Sequence, residues 1–165
     1  MADQSPTPAS FPQTPPGLRR LLVPVRGGAD ALARVRLAVH LAAATGAEVT
    51  ALYVLDERLL ADPDAALVRD TLIEQLTQEG EAVLATVREA AAQYQITFHT
   101  RLERGPVVET VLRIATAIDA EMIIVGAHKQ TWLGRLLGRS VAESILNGAR
   151  CAVLAVPPGE PDTGG

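Results

Sequence analysis

Leu21-Leu22-Val23-Pro24-Val25-Arg26-Gly27-Gly28 passes from an unbroken apolar run directly into two glycines. The run has no polar alternation, as expected of a strand buried on both faces of a sheet. Pro24 falls near its end, where a missing N–H donor is tolerable. Gly27 and Gly28 turn the chain into a helix on which Leu32, Val35, Val39 and Ala42 recur at spacings of three and four. Gly46 stops that helix, and Val49 to Leu55 forms a second buried strand. Strand, helix and strand in this order make a βαβ unit, the element of a parallel sheet.

Downstream the alternation continues. Asp56 and a polar stretch to Asp64 precede a long helix over 65–94, with Leu72, Leu76, Val83, Val87, Ala90 and Tyr94 as its apolar stripe and a kink expected at Gly80. The third strand, Ile96 to Glu103, alternates Ile96, Phe98, Thr100 and Leu102 with Thr97, His99, Arg101 and Glu103, so one face is wet and the strand belongs at an edge. Gly105 starts a helix with Pro106 suited to its first position and Val108, Val111, Leu112, Ala115 and Ile118 facing the core. Met122 to Val125 reads as a central strand. Ser140 caps a helix running through Val141, Ile145 and Ala149, and Cys151 to Val156 is a last strand ended by Pro157 and Pro158. The fold class is therefore α/β, a doubly wound five-stranded parallel sheet with helices on both faces. Right-handed crossovers give the order 3-2-1-4-5, which sets the crevice between the first and fourth strands and brings Pro24 to Gly28 beside Gly126 to Ser140.

Composition sets the outer limits. The chain has 165 residues, 48% hydrophobic and 21% charged, enough apolar material for one domain with a real core. Residues 18–158 are the expected domain; residues 1–17, rich in Pro with Ser, Thr and Gln, and residues 159–165 read as flexible tails. Aromatics are 3%, which argues against stacking platforms for single-stranded nucleic acid or sugars. Fifteen Lys and Arg against nineteen Asp and Glu give a net charge of −4, which argues against general binding to nucleic acid or an acidic membrane. A single cysteine, three scattered histidines, no apolar run of membrane length and no leader-like start make a cytoplasmic protein the expectation.

Chemistry gathers in the loop after the fourth strand. Gly126 to Ser140 holds Lys129, Arg135 and Arg139 without a carboxylate and ends at a helix N-terminus, where free N–H groups, the helix dipole and the Ser140 hydroxyl favour an anion. The plainer alternative is a solvated loop with Ser140 acting only as a cap. Cys151 on its apolar strand reads as an inert core thiol, and His128 has no carboxylate or nucleophile spaced to pair with it. Trp132, Leu133, Leu136 and Leu137 are best explained by packing on the following helix.

From Arg20 to Pro157 the chain resembles the universal stress protein family. The pieces that carry the likeness are Leu-Val-Pro-Val at 22–25, Leu-Tyr-Val-Leu-Asp at 52–56, Arg-Gly-Pro at 104–106, Ile-Ile-Val-Gly at 123–126, Ser-Val-Ala-Glu at 140–143 and Cys-Ala-Val-Leu-Ala-Val-Pro at 151–157. The resemblance implies a five-stranded α/β fold, a homodimer, a role in stress physiology and, in one branch, a bound adenine nucleotide such as ATP. The residues it nominates for nucleotide or phosphate contact are Pro24, Val25, Arg26, Val54, Gly126, Lys129, Arg139, Ser140 and Val141.

The pattern of the nucleotide-binding branch is Gly, two residues, Gly, nine residues, Gly, then Ser or Thr. Laid on this chain, its glycines fall at Gly126, Lys129 and Arg139, and its hydroxyl at Ser140. Arg26 stands where that branch carries an Asp for the ribose hydroxyls, and a guanidinium cannot accept their protons. The functional expectation is a non-enzymatic binding or regulatory module with a degenerate or repurposed crevice, and an unidentified protein partner is compatible with that role. The alternatives are a true ATP or cyclic-nucleotide binder and, on the same fold, a nucleotide hydrolase or adenylyl transferase. No His-x-Gly-His, Walker-type lysine loop or carboxylate cluster occurs in the crevice segments to support the enzyme. Dimerisation is expected through the last strand, at Cys151, Val153, Leu154 and Val156, because so apolar an edge is a hazard if left open.

Overall fold

Five short segments take up parallel strand pairing, and a helix covers each return. The computed structural model describes residues 17–56, 69–127 and 140–157. In chain order these are β1 (Arg20–Val25), α1 (Ala29–Thr45), β2 (Glu48–Leu55), α2 (Arg69–Ala92), β3 (Phe98–Arg104), α3 (Val107–Ala117), β4 (Met122–Gly126), α4 (Val141–Gly148) and β5 (Ala152–Val156). The sheet order is β3-β2-β1-β4-β5 with every pair parallel, as the alternation of elements predicts.

The two faces of the sheet form two cores. Leu21, Val23, Val25, Val49, Ala51, Tyr53 and Ile124 pack beneath α1 and α2. Leu22, Leu52, Ile123 and Val125 pack against Val111, Ile114 and Ala115 of α3 and Ile145 of α4. β3 is an edge with one wet face: Arg101 and Arg113 both pair with Glu103, at 3.4 and 3.1 Å. β5 forms the other edge.

Several local expectations are refined. Gly46 ends α1 in the left-handed conformation (φ 76°) and its N–H bonds the Ala42 carbonyl, as a terminating glycine should. Pro106 is the N-cap of α3, with extended backbone, rather than its first helical residue. α2 runs through Gly80, which is buried where a Cβ would lie 2.6 Å from the Tyr53 ring and 3.0 Å from Leu102. Its missing side chain lets the helix approach the sheet. The expected start of this helix at residue 65 and most of the loop 126–139 lie outside the described residues.

The amino edge of the sheet is tied by one carboxylate. Glu121, just before β4, accepts the Arg19 and Arg20 N–H groups at 2.8 and 2.6 Å and faces the Arg20 guanidinium at 3.6 Å. Burial alone would raise its pKa, but the two backbone bonds and the arginine charges outweigh this and hold it below the ordinary glutamate value. The carboxyl edge is built differently, and the functional residues lie there.

Candidate functional site

β1 pairs with β2 along its whole length, from Arg20 opposite Glu48 to Val25 opposite Tyr53. With β4 it is in register only at Leu21–Met122 and Leu22–Ile123. Pro24, which has no N–H to give, falls where that ladder has already ended. Beyond Leu22 the two central strands are no longer paired, and the winding of the fold reverses between them. This is where a crevice forms in sheets of this topology.

Each helix returns antiparallel to the strands, so α1 and α4 begin at this same carboxyl edge. Gly27 (φ 102°) and Gly28 (φ 83°) make the turn into α1, a backbone shape that side-chain-bearing residues rarely adopt. Gly28 caps α1 without any side-chain hydrogen bond; of the first amides, that of Ala31 donates to the Gly28 carbonyl at 3.1 Å. At α4 the Ser140 Oγ accepts the Glu143 N–H at 3.1 Å. Ser140 is thus an N-cap, and its hydroxyl proton is still free to be donated.

The nominated residues divide in the structure. Pro24 is half-buried and Arg26 exposed at the end of β1; Gly126 ends β4; Ser140 and the 48% exposed Val141 open α4. Val25 is 1% exposed, its side chain committed to the core under α1, so only its backbone faces the crevice. Val54 packs on the α3 side of β2. Lys129 and Arg139, with His128 and the Trp132 cluster, lie outside the described residues. At the opposite edge Cys151 is half-buried, and burial pushes its thiol pKa up against a weaker effect of its own backbone N–H. That is the setting of an inert cysteine rather than a reactive one.

One residue of the crevice escapes the sequence pattern. Arg34, in the second turn of α1, is only 8% exposed although its neighbours on that face are Ala31, Val35, Ala38 and Ala42. Helical side chains lean towards the N-terminus, which carries its guanidinium to the carboxyl edge. There it lies on Gly126: a Cβ on that glycine would be 2.5 Å from Nη1 and 3.2 Å from Cζ. Nε is sealed from solvent without a hydrogen-bond partner. Desolvation lowers the Arg34 pKa, and the charge of Asp30 one turn earlier acts against this. The signal in the sequence was an arginine within a stripe of small apolar residues.

A second concavity, of about 620 Å³, lies at the amino edge between α3 and α4, lined by Arg113, Thr116, Asp119, Arg150 and Cys151 among others. Of the nominated residues it contains only Cys151, which sits at the closed end of the strands, away from the switch point. Among the described residues no group of three or more His, Cys, Asp or Glu side chains could hold a metal, and no helix is long and apolar enough to cross a membrane.

Comparison with known proteins agrees with this geometry. The model of the universal stress protein family matches residues 17–157, and the chain belongs to that family. It is 29% identical over 138 residues to a universal stress protein of Methanocaldococcus jannaschii, covering 84% of this chain and 81% of the relative. Among solved structures, a universal stress protein from Lactobacillus plantarum superposes with a TM-score of 0.74 at 22% identity, over 85% of this chain and 98% of that one. A universal stress protein solved in complex with cAMP superposes with a TM-score of 0.68 at 23% identity, over 87% of this chain and 99% of that one. At these identities the solved structures establish the fold.

Proposed function

We propose that this protein is a cytoplasmic, non-enzymatic stress-related module whose crevice is repurposed from ATP to another phosphorylated small molecule. The observation that carries the reading is Arg26, exposed at the end of β1 where a ribose-accepting carboxylate would stand. A guanidinium there offers donors only, which suits an anion and not a pair of ribose hydroxyls. Lys129 and Arg139, at motif positions that call for glycine, shift the loop chemistry in the same direction. The crevice segments supply no nucleophile paired with a base, so binding rather than turnover is the role. A cyclic nucleotide is the second reading, favoured by the structural neighbour solved with cAMP.

The test is a melting-temperature screen of the wild-type protein against ATP, AMP, cAMP and inorganic pyrophosphate, followed by calorimetry, since a ligand of the folded state raises apparent stability with its excess over Kd. ATP is expected to bind weakly or not at all, and AMP, cAMP or pyrophosphate to shift the melt. ATP binding at low micromolar Kd would overturn the repurposed-crevice reading.

We further propose a homodimer in which two β5 edges pair antiparallel. β5 is an edge strand whose Val153, Leu154 and Val156 are only half-buried in the single chain. Pairing satisfies its open backbone groups and covers those side chains. Leu154→Lys should move the mass in light scattering from dimer towards monomer; a wild-type monomer at micromolar concentration would refute the dimer.

A further inference from the structure

We infer that Arg34 is the phosphate-recognising cation of the crevice, held on the bare Cα of Gly126 to engage a phosphate group that enters between β1 and β4. The inference rests on the repurposed-crevice reading and deepens it by naming the residue and the ligand chemistry. A guanidinium nine-tenths buried with a sealed, unpartnered Nε is a costly component in a stripe where valine or methionine would pack without penalty. Asp30 lowers that cost through its field, yet among the described residues no carboxylate closes an ion pair with Arg34. The guanidinium keeps its charge, and among the described residues it has no carboxylate partner and its Nε no hydrogen-bond partner.

Its surroundings suit one kind of partner. The side chain reaches the edge of the sheet where the first turn of α1, without a side-chain cap, and the N-terminus of α4 both present partial positive charge. Gly126 is what makes the approach feasible, because any Cβ there would displace Nη1. A planar guanidinium grips two oxygens of a phosphate, leaving the remaining oxygens for amides or the Ser140 hydroxyl. Nothing in this arrangement reads a base, so a free phosphate, a diphosphate and a nucleoside monophosphate share the chemistry and the experiment must separate them.

Calorimetry and thermal melts would be run with inorganic pyrophosphate, inorganic phosphate, AMP and adenosine on wild type, Arg34→Met and Arg34→Lys. Wild type is expected to bind pyrophosphate and AMP and to ignore adenosine, with affinity falling as salt rises. Inorganic phosphate binding as well as AMP would assign the recognition to phosphate alone; AMP binding much tighter than pyrophosphate would add a contact to the nucleoside. Arg34→Met should lose at least tenfold in affinity for the phosphate probes while melting, without ligand, at or above the wild-type temperature. A residue with a merely structural role would do the opposite. Arg34→Lys, which keeps the charge and loses the fork, should fall between them, and it decides the matter if the Met variant does not fold. Equal affinity of wild type and Arg34→Lys or Arg34→Met overturns the role of Arg34 and leaves the crevice reading standing, whereas wild type binding adenosine but not pyrophosphate removes both. Wild type binding none of the probes removes both.

Discussion

Leu52→Ala is expected to lower the free energy of unfolding by about 2–5 kcal/mol, the range for deleting a fully buried leucine side chain whose cavity closes only in part. Leu52 is 0% exposed on β2, flanked by β1 and β3. It belongs to the core beneath α3 and α4, with Leu22, Val111, Ile114 and Ile145. Two features limit how far this core can close over the gap. The strand backbone is fixed by hydrogen bonds on both sides, and the helical cover is the eleven-residue α3 with the eight-residue α4. Urea titration checks it: the midpoint should fall with the slope unchanged, since the surface exposed on unfolding hardly differs. A loss below about 1 kcal/mol would mean that α3 settles onto the sheet and refills the space. Arg34, buried but 8% exposed, carries the opposite expectation, because replacing a buried cation without a carboxylate partner among the described residues by an apolar side chain removes a desolvation cost along with its contacts.

That contrast also shows which parts of the molecule could be read in advance. The sheet order is legible because period-two alternation at Ile96 to Glu103 marks an edge, while the unbroken runs Leu21 to Val25 and Met122 to Val125 mark strands covered on both faces. Arg34 is not, and the reason lies in the composition of α1. Alanine defines a buried face weakly, so the spacing puts the stripe on Leu32, Val35, Val39 and Ala42. Val35, Val39 and Ala42 are buried as expected, but the packed face also takes in Ala31 and Ala38, which turns Arg34 inward and leaves Leu32 only half-buried. Gly80 shows the same limit: read along the chain it is a place for a kink, and the close approach of the Tyr53 ring from another element becomes visible only in the packing. Pro106 opens α3 as the sequence predicts, but as its N-cap and not as its first helical residue. The crevice itself follows from topology; which of its residues are free to bind follows from packing, and Val25 shows the difference.

The combined change Arg26→Asp, Lys129→Gly and Arg139→Gly is expected to create ATP binding, with an affinity at least tenfold above that of wild type, or about 1.4 kcal/mol. The new carboxylate can accept the ribose hydroxyl protons that Arg26 cannot, and glycine at the two loop positions gives phosphate oxygens access to backbone N–H groups. The substitutions remove three positive charges and add a negative one. Long-range electrostatics therefore opposes the binding of a polyanion, and any gain must come from geometry at the site. Arg26 is exposed and follows the last residue of β1, so the central sheet does not depend on its side chain. Calorimetry with ATP and with pyrophosphate on both proteins separates the contributions. If the loop cations share the phosphate with Arg34, pyrophosphate affinity should fall and its salt dependence flatten while ATP affinity rises. A triple variant that binds ATP no better than wild type would show that the glycine register and the ribose carboxylate are not what separates this crevice from the nucleotide-binding branch of the family.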